Sequence, residues 1–240
     1  MNQTLAIAKR ELTSLFFSPI AYVVMALFAL GVTMLFLLSF HPGAQATLRM
    51  SLQGVIWLMI FLVPAISMRL ISEEFRSGTI ETLMTCPVSD THVILGKWIG
   101  AMGFFFVLLV APVIVLIVVL ECNGRPEYGP IVTGLMGLIL AGGLYLAIGT
   151  FASAITQNQI IAFMLTISII CLLTLLLFFL PNASFVGPDL RRALLYLNVN
   201  HQFEDFAKGL VDLTNFIYFI SGIALFLFMA VIVLQSRRWR

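Results

Sequence analysis

Charge is the first thing this sequence is short of. Asp, Glu, Lys and Arg together make up 10% of its 240 residues, against about 25% in an ordinary soluble domain. With 61% of residues hydrophobic, so little charge marks a membrane protein. A net charge of +2 supplies no basic surface for a nucleic acid. Cysteine is scarce too: Cys86, Cys122 and Cys171 fall in a loop, at an outer edge and at mid-membrane depth, so no disulfide framework can be drawn. His41, His92 and His201 lie in separate loops, and the chain has no HExxH, no GxSxG and no metal-ligand spacing. Glu73 and Glu74 begin the EExxxR pattern of some intramembrane proteases, but Gly78 stands where that pattern needs Arg. "LGKW" at 95–98 has a Gly-Lys pair without the upstream Gly or the following Ser or Thr of a phosphate-binding loop. The chain carries no ATPase or other enzyme motif, and no cofactor of its own is expected.

What the sequence does have is long apolar runs. Six of them, 19–40, 52–68, 98–120, 130–153, 160–181 and 216–234, contain no Asp, Glu, Lys, Arg or His, and each approaches or exceeds the roughly 20 helical residues that cross a hydrocarbon core. Chemistry at membrane depth normally shows itself through ionisable groups, which argues against an autonomous ion-coupled carrier, although unwound backbone carbonyls could still bind an ion. The first run has 22 residues, longer than a signal-peptide core of about 7–15, and reads as a retained span. With an even number of spans, Lys9, Arg10, Arg69, Arg76, Lys97, Arg237, Arg238 and Arg240 share one side, and Arg49, Arg125, Arg191, Arg192 and Lys208 the other. The excess, and the basic residues hugging both termini, point to cytoplasmic ends. The tail "SRRWR" is an interfacial anchor with Trp239 at headgroup level. No internal repeat or low-complexity tract is visible, so residues 1–240 read as one membrane domain.

Three of the segments outside the spans carry helical patterns of their own. In residues 1–18, Leu5, Ala8, Leu12 and Leu15 share a helical face while Lys9, Arg10, Glu11 and Thr13 lie elsewhere, which describes either an in-plane amphipathic helix or a helical extension of the first span. Residues 71–97 carry six charges, Glu73, Glu74, Arg76, Glu81, Asp90 and Lys97, at about 2.5–3.5 kcal/mol for each at a helix centre, so the segment stays out of the hydrocarbon. There Ile80, Leu83, Met84 and Pro87 continue a stripe after Gly78, and Ser89 with a Val88–Val93 staple starts the third span. The segment is read as two short helical pieces, with a short amphipathic helix near 79–85. It offers carboxylates and an apolar ridge to a partner, or it is a solvated loop that keeps itself out of the bilayer. Residues 182–215 carry two further patterns, Leu190, Ala193, Leu194 and Leu197, then Phe203, Phe206, Leu210 and Leu213, too short and too charged to span. Pro64 and Pro112 predict kinks. The pairs Gly96 and Gly100, Gly143 and Ala147, Gly149 and Ser153 allow close helix packing.

"SEEFRSGTIETLMTCPVSDTHVILGKWIG" at 72–100 resembles the coupling region of ABC-2 type permeases, which typically read Glu-Glu, a basic residue and Gly-Thr, then Glu, a Leu-rich turn, Thr, Pro-Val-Ser and Leu-Gly-Lys. "GLYLAIGTFASAITQNQIIAF" at 143–163 resembles the fourth-span exit and cytoplasmic turn of that family, with Ser153, Thr156, Asn158 and Gln159 at the turn. Residues 201–240 are similar to the C-terminal end of its gliding-motility-associated branch, with Gln202 as an extra residue between His201 and Phe203. The resemblance implies an all-α permease in the bacterial inner membrane, paired with a second permease copy or a paralogue and with two cytoplasmic ATPase subunits that bind ATP and Mg. It implies docking on the ATPase through Glu73, Glu74, Arg76, Gly78, Thr79, Glu81 and Thr82, and an outer gate containing Phe203, Phe206 and Asp212. It further implies an auxiliary partner with a large extracytoplasmic domain. The function expected is outward transport driven by the ATPase. The alternative is a non-transporting anchor that passes ATPase force to an extracytoplasmic assembly.

Overall fold

A computed structural model describes residues 3–39, 47–79, 89–123, 126–182 and 187–238. Among the described residues there is no strand, as expected where lipid offers the backbone no hydrogen-bond partner and each span must satisfy its own. The helices are α1 (Gln3–Phe16), α2 (Pro19–Ser39), α3 (Arg49–Ser67), α4 (Ser72–Ser77), α5 (Asp90–Asn123), α6 (Tyr128–Ile155), α7 (Gln159–Cys171), α8 (Pro188–Leu197), α9 (Val199–Ala207) and α10 (Leu213–Arg238). The fifth span continues from α7 through a π turn, Leu172–Leu176, and one helical turn, Leu177–Phe179. Six of these elements are long and apolar enough to cross a membrane, and they fall where the six apolar runs predict them. α5 begins earlier than its run, at Asp90, because the helix extends through polar residues that hydropathy alone does not count. Cys122 and Cys171 are free thiols; Cys86 lies outside the described residues.

α6 is the central element. It packs against α3, α5, α7, α9 and α10, and its stretch from Ala141 to Thr150 is buried on every face. Small residues make that possible. A Cβ on Gly149 would collide with the Ser67 hydroxyl of α3, and one on Gly142 with the Phe105 ring of α5. Trp98 of α5 donates its indole N–H to the carbonyl of Gly143 at 3.1 Å, giving a bulky span a polar tie to the same helix. The Tyr145 hydroxyl meets Thr174 Oγ1 at 2.6 Å where the fifth span makes its π turn.

α1 is separated from α2 by a break at Phe17 and Ser18, with Pro19 opening the new helix, a position where proline's missing N–H costs nothing. α1 lies along the first turns of α5. Ala8 and Leu15 are buried as the pattern predicts, but Leu5 is 58% exposed, and Glu11, assigned to the polar side, faces α5 and pairs with Lys97. The apolar stripe alone misplaced both, because an ion-pair partner on another helix outweighs the local pattern. Gly96 and Gly100 form the seat: a Cβ at Gly100 would stand 2.8 Å from the backbone oxygen of Ala8, and one at Gly96 2.8 Å from Ile7 Cβ. Backbone cannot swing aside, so Gly100→Val should lift α1 from α5. We expect a loss of about 1–3 kcal/mol and faster amide exchange confined to α1; wild-type exchange there would remove this seat from the argument.

At the far end, α8 buries none of its residues, whereas α9 buries Val199, Gln202, Phe203, Phe206 and Ala207. The expected second stripe stops short: Leu210 and Leu213 are exposed. Gly209 adopts φ +89, and its N–H bonds to Phe206 O at 3.1 Å while the Leu210 N–H bonds to Asp205 O at 2.9 Å. That is a Schellman ending, which turns the chain before those leucines can join the face.

Candidate functional site

The residues of interest gather where α3 ends. After Ser67 the chain turns through 68–71 and enters α4. This elbow is fastened from four sides. Ser153 of α6 accepts the N–H groups of Ile71 and Ser72 at 3.0 and 2.9 Å and donates to Met68 O at 3.1 Å. Arg69 donates to Ser18 Oγ, at the α1–α2 break, at 2.8 Å. Lys97, only 2% exposed, places its Nζ 3.0 Å from Glu11 of α1 and 2.8 Å from Glu74 of α4. Phe75 packs against the apolar core. The elbow is therefore a rigid joint between the N-terminal helix and the second, third and fourth spans.

Of the docking residues expected from sequence, Glu73, Arg76, Gly78 and Thr79 are exposed, and Glu74 turns inward to Lys97. Gly78 ends α4 in the left-handed region, φ +71, with open space around it. Ser77 Oγ lies 2.9 Å from Thr79 Oγ1. Glu81 and Thr82, with the ridge Ile80, Leu83 and Met84 and the helix expected near 79–85, lie outside the described residues from position 80 on. The helical piece that is described sits earlier, at Ser72–Ser77. Beside it opens a pocket of about 680 Å³ lined by Phe75, Arg76, Gln157, Asn158, Gln159 and Ile160. Its second wall is the turn between α6 and α7. There Thr156 Oγ1 accepts the Asn158 N–H at 3.1 Å, and Asn158 caps α7 by accepting the Ile160 N–H at 2.9 Å. The exposed end of α4 and this turn together make one polar concave face.

The expected gate residues sit at the opposite end of α3 and α6. Phe203 and Phe206 are 1% and 0% exposed and press on Gly137 of α6, where an added Cβ would stand 2.8 Å from Phe206 Cβ and 2.9 Å from Phe203 Cδ2. Thr133 Oγ1 donates to Phe206 O at 2.7 Å. Asp212 is not with them; it is exposed and caps α10, accepting the Thr214 N–H at 3.0 Å. Gln202, the extra residue, is buried and donates to Tyr196 O at 2.7 Å, which ties α8 to α9. Sequence reasoning missed Glu11 and Lys97 as partners. The available signal was one lysine between Gly96 and Trp98 at the head of an otherwise uncharged span. Among the described residues no group of His, Cys, Asp or Glu could hold a metal ion.

A helical core with six elements long and apolar enough to cross a membrane, and a fixed polar elbow at one end, describes a multi-pass membrane protein. Residues 8–180 match the family model described as ABC-2 family transporter protein, and the chain belongs to that family. Its members are permease subunits rather than ATPases, and they generally partner with a cytoplasmic ABC ATPase. No curated protein matches the chain.

Proposed function

We propose that this chain is the permease subunit of an ATP-driven ABC-2 exporter, seated through its elbow on a separate ATPase that binds ATP and Mg. The observation that carries the reading is the joint itself: exposed Glu73 and Arg76 project from a six-residue helix, with exposed Gly78 and Thr79 just past its end, and the other face of that helix is bound to Lys97, Ser153 and the core. A push on those residues is delivered to three spans and α1 at once, a rigid-body switch. On this reading Glu73 and Arg76, with Glu81 and Thr82 beyond them, contact the ATPase, while Glu74 positions α4 instead of touching the partner. The elbow side is cytoplasmic, both termini lie there, and the membrane is the bacterial inner membrane, in keeping with the excess of Lys and Arg. A second permease copy or a paralogue completes the pore. The C-terminal resemblance supports the gliding-motility-associated branch and its auxiliary extracytoplasmic partner. Phe203 and Phe206, wedged on Gly137, act as the outer gate. The alternative, an anchor that passes ATPase force to an external assembly, would use the same elbow; a lateral cavity between two permease copies, lined by aromatic or polar residues, would favour transport, and closed packing without a path the anchor.

The test is affinity purification of the tagged chain in mild detergent, with identification of co-purifying proteins and an assay of vanadate-sensitive ATP hydrolysis. Wild-type chain should bring down an ABC ATPase, and the Glu73→Lys/Arg76→Glu variant about tenfold less of it, or roughly 1.4 kcal/mol of docking energy, at equal yield of the permease. A stable wild-type preparation free of any ATPase, or equal recovery with the variant, would refute the docking role.

A further inference from the structure

The fifth span leaves regular α geometry in mid-course. Within Leu172–Leu176 it makes a π turn, and the Leu177 N–H reaches back to Leu172 O, one residue further than an α-helix allows. Such turns hold an extra residue and account for well under about 1% of residues in proteins, so the surroundings have to favour this one. Thr174, at its centre, supplies the reason. It is fully buried, and its hydroxyl lies 2.6 Å from that of Tyr145 on α6, which is fully buried too. Thr166, two turns earlier on α7, shows what a regular helix offers instead: its hydroxyl donates to Ala162 O of its own helix at 2.7 Å. Thr174 has the same recourse in α geometry, whereas Tyr145 parted from Thr174 is a stranded polar group, which is costly.

The stretch beyond the turn is lightly held. Leu175, Leu176, Phe178 and Phe179 are exposed. On the inner side Leu177 is buried, Phe178 meets Trp57 of α3 edge to face with centroids 5.5 Å apart, and Leu177 O accepts from Asn198 Nδ2 at 2.8 Å. Asn198 is also the N-cap of α9, where its Oδ1 accepts the Asn200 N–H at 2.9 Å. A change in the fifth span here therefore reaches the helix that carries Phe203 and Phe206. Taking the extra residue into α geometry advances everything beyond it by about 1.5 Å and turns it by about 100°. That carries Leu177 O away from Asn198 and Phe178 away from Trp57.

We propose that the fifth span is a two-state joint, π or α at Leu172–Leu176, with the Tyr145–Thr174 hydrogen bond as the catch that holds the π form and Asn198 as the link that passes its state to α9. That the link works a gate rests on the permease reading above; the joint does not, so the test uses the purified chain in lipid nanodiscs without an ATPase. With the three cysteines replaced by alanine, spin labels go on Met50→Cys and Phe179→Cys, both exposed sites, and double electron–electron resonance reads the distance between them. Tyr145→Phe, which deletes one oxygen, should raise the population of a second distance roughly fivefold or more over wild type. Thr174→Val, which keeps the side chain's shape, should raise the same distance, and Thr166→Val should leave the distribution unchanged. Tyr145→Phe should also speed amide exchange in α9. In an Asn198→Ser background, which keeps a capping oxygen and removes the amide donor, the second distance should still rise while exchange in α9 no longer follows it. One unchanged distance in both Tyr145→Phe and Thr174→Val would overturn the joint and leave the hydrogen bond as ordinary packing. The same second distance in Thr166→Val would overturn the catch, and α9 exchange that still follows Tyr145→Phe after Asn198→Ser would overturn the link.

Discussion

Replacing Lys97 with methionine should lower the stability of this protein by about 3–5 kcal/mol, the usual result of removing one partner from a buried ion pair. The side chain is 3% exposed, and its two carboxylate partners, Glu11 and Glu74, are 17% and 20% exposed, so water cannot take over the interaction. The variant keeps the stem's apolar packing and deletes only the charge, leaving two anions facing each other at the junction of α1, α4 and α5. The single substitution Glu74→Gln should be far milder: it removes one of two negative charges from a cluster with one positive charge, and Glu74 Oε2 already lacks a hydrogen-bond partner. Adding Glu11→Gln and Glu74→Gln to Lys97→Met should then recover most of the lost stability, since the uncompensated charges are gone. Denaturant unfolding in lipid nanodiscs orders these variants. A Lys97→Met protein within about 0.5 kcal/mol of wild type would mean that the triad does not hold the elbow. The expected ranking also separates Glu74 from Glu73, which is exposed and should affect docking without affecting stability.

That cluster shows what the sequence could and could not disclose. The spans were legible because twenty apolar residues without charge have one stable state in a bilayer, and all six appear within a few residues of their runs except the polar head of α5. The small-residue pairs were legible as packing sites, and Gly96, Gly100, Gly143 and Gly149 each touch a neighbouring helix. Leu5 and Glu11 were assigned to the wrong faces of α1 because a helical stripe records local amphipathicity, whereas the partner of Glu11 lies 86 residues away. The second outer stripe ran too far because periodicity has no way to register the left-handed turn at Gly209. The charged elbow was visible as a stretch that had to leave the hydrocarbon, but the division of its acids into one facing inward and one facing outward depends on where Lys97 arrives. Local pattern specifies the elements; the contacts between them decide which charges remain available to a partner.

Ser153→Ala should cost nearly as much as the loss of Lys97, although it removes a single oxygen. Ile71 and Ser72 open α4, where the first N–H groups of a helix have no acceptor within it, and both point at Ser153 Oγ. Ser153 is fully buried, so no water replaces it, and each stranded donor carries about 1–3 kcal/mol. Thr150, one turn earlier on α6, supplies the control. It is equally buried, but its hydroxyl donates only to Leu146 O and Ala147 O of its own helix, so Thr150→Val, which keeps the shape, strands no donor and should change stability by less than about 1 kcal/mol. The difference between the two substitutions isolates the elbow from the general polarity of the fourth span. It also has a functional side: with the elbow untied from α6, an ATPase docked on Glu73 and Arg76 should still bind and hydrolyse ATP, while movement passed to the fourth span falls. Measured together, unchanged recovery of the ATPase with reduced transport would locate the transmission step at Ser153, whereas a Ser153→Ala protein as stable and as active as Thr150→Val would show that force reaches the spans by another route.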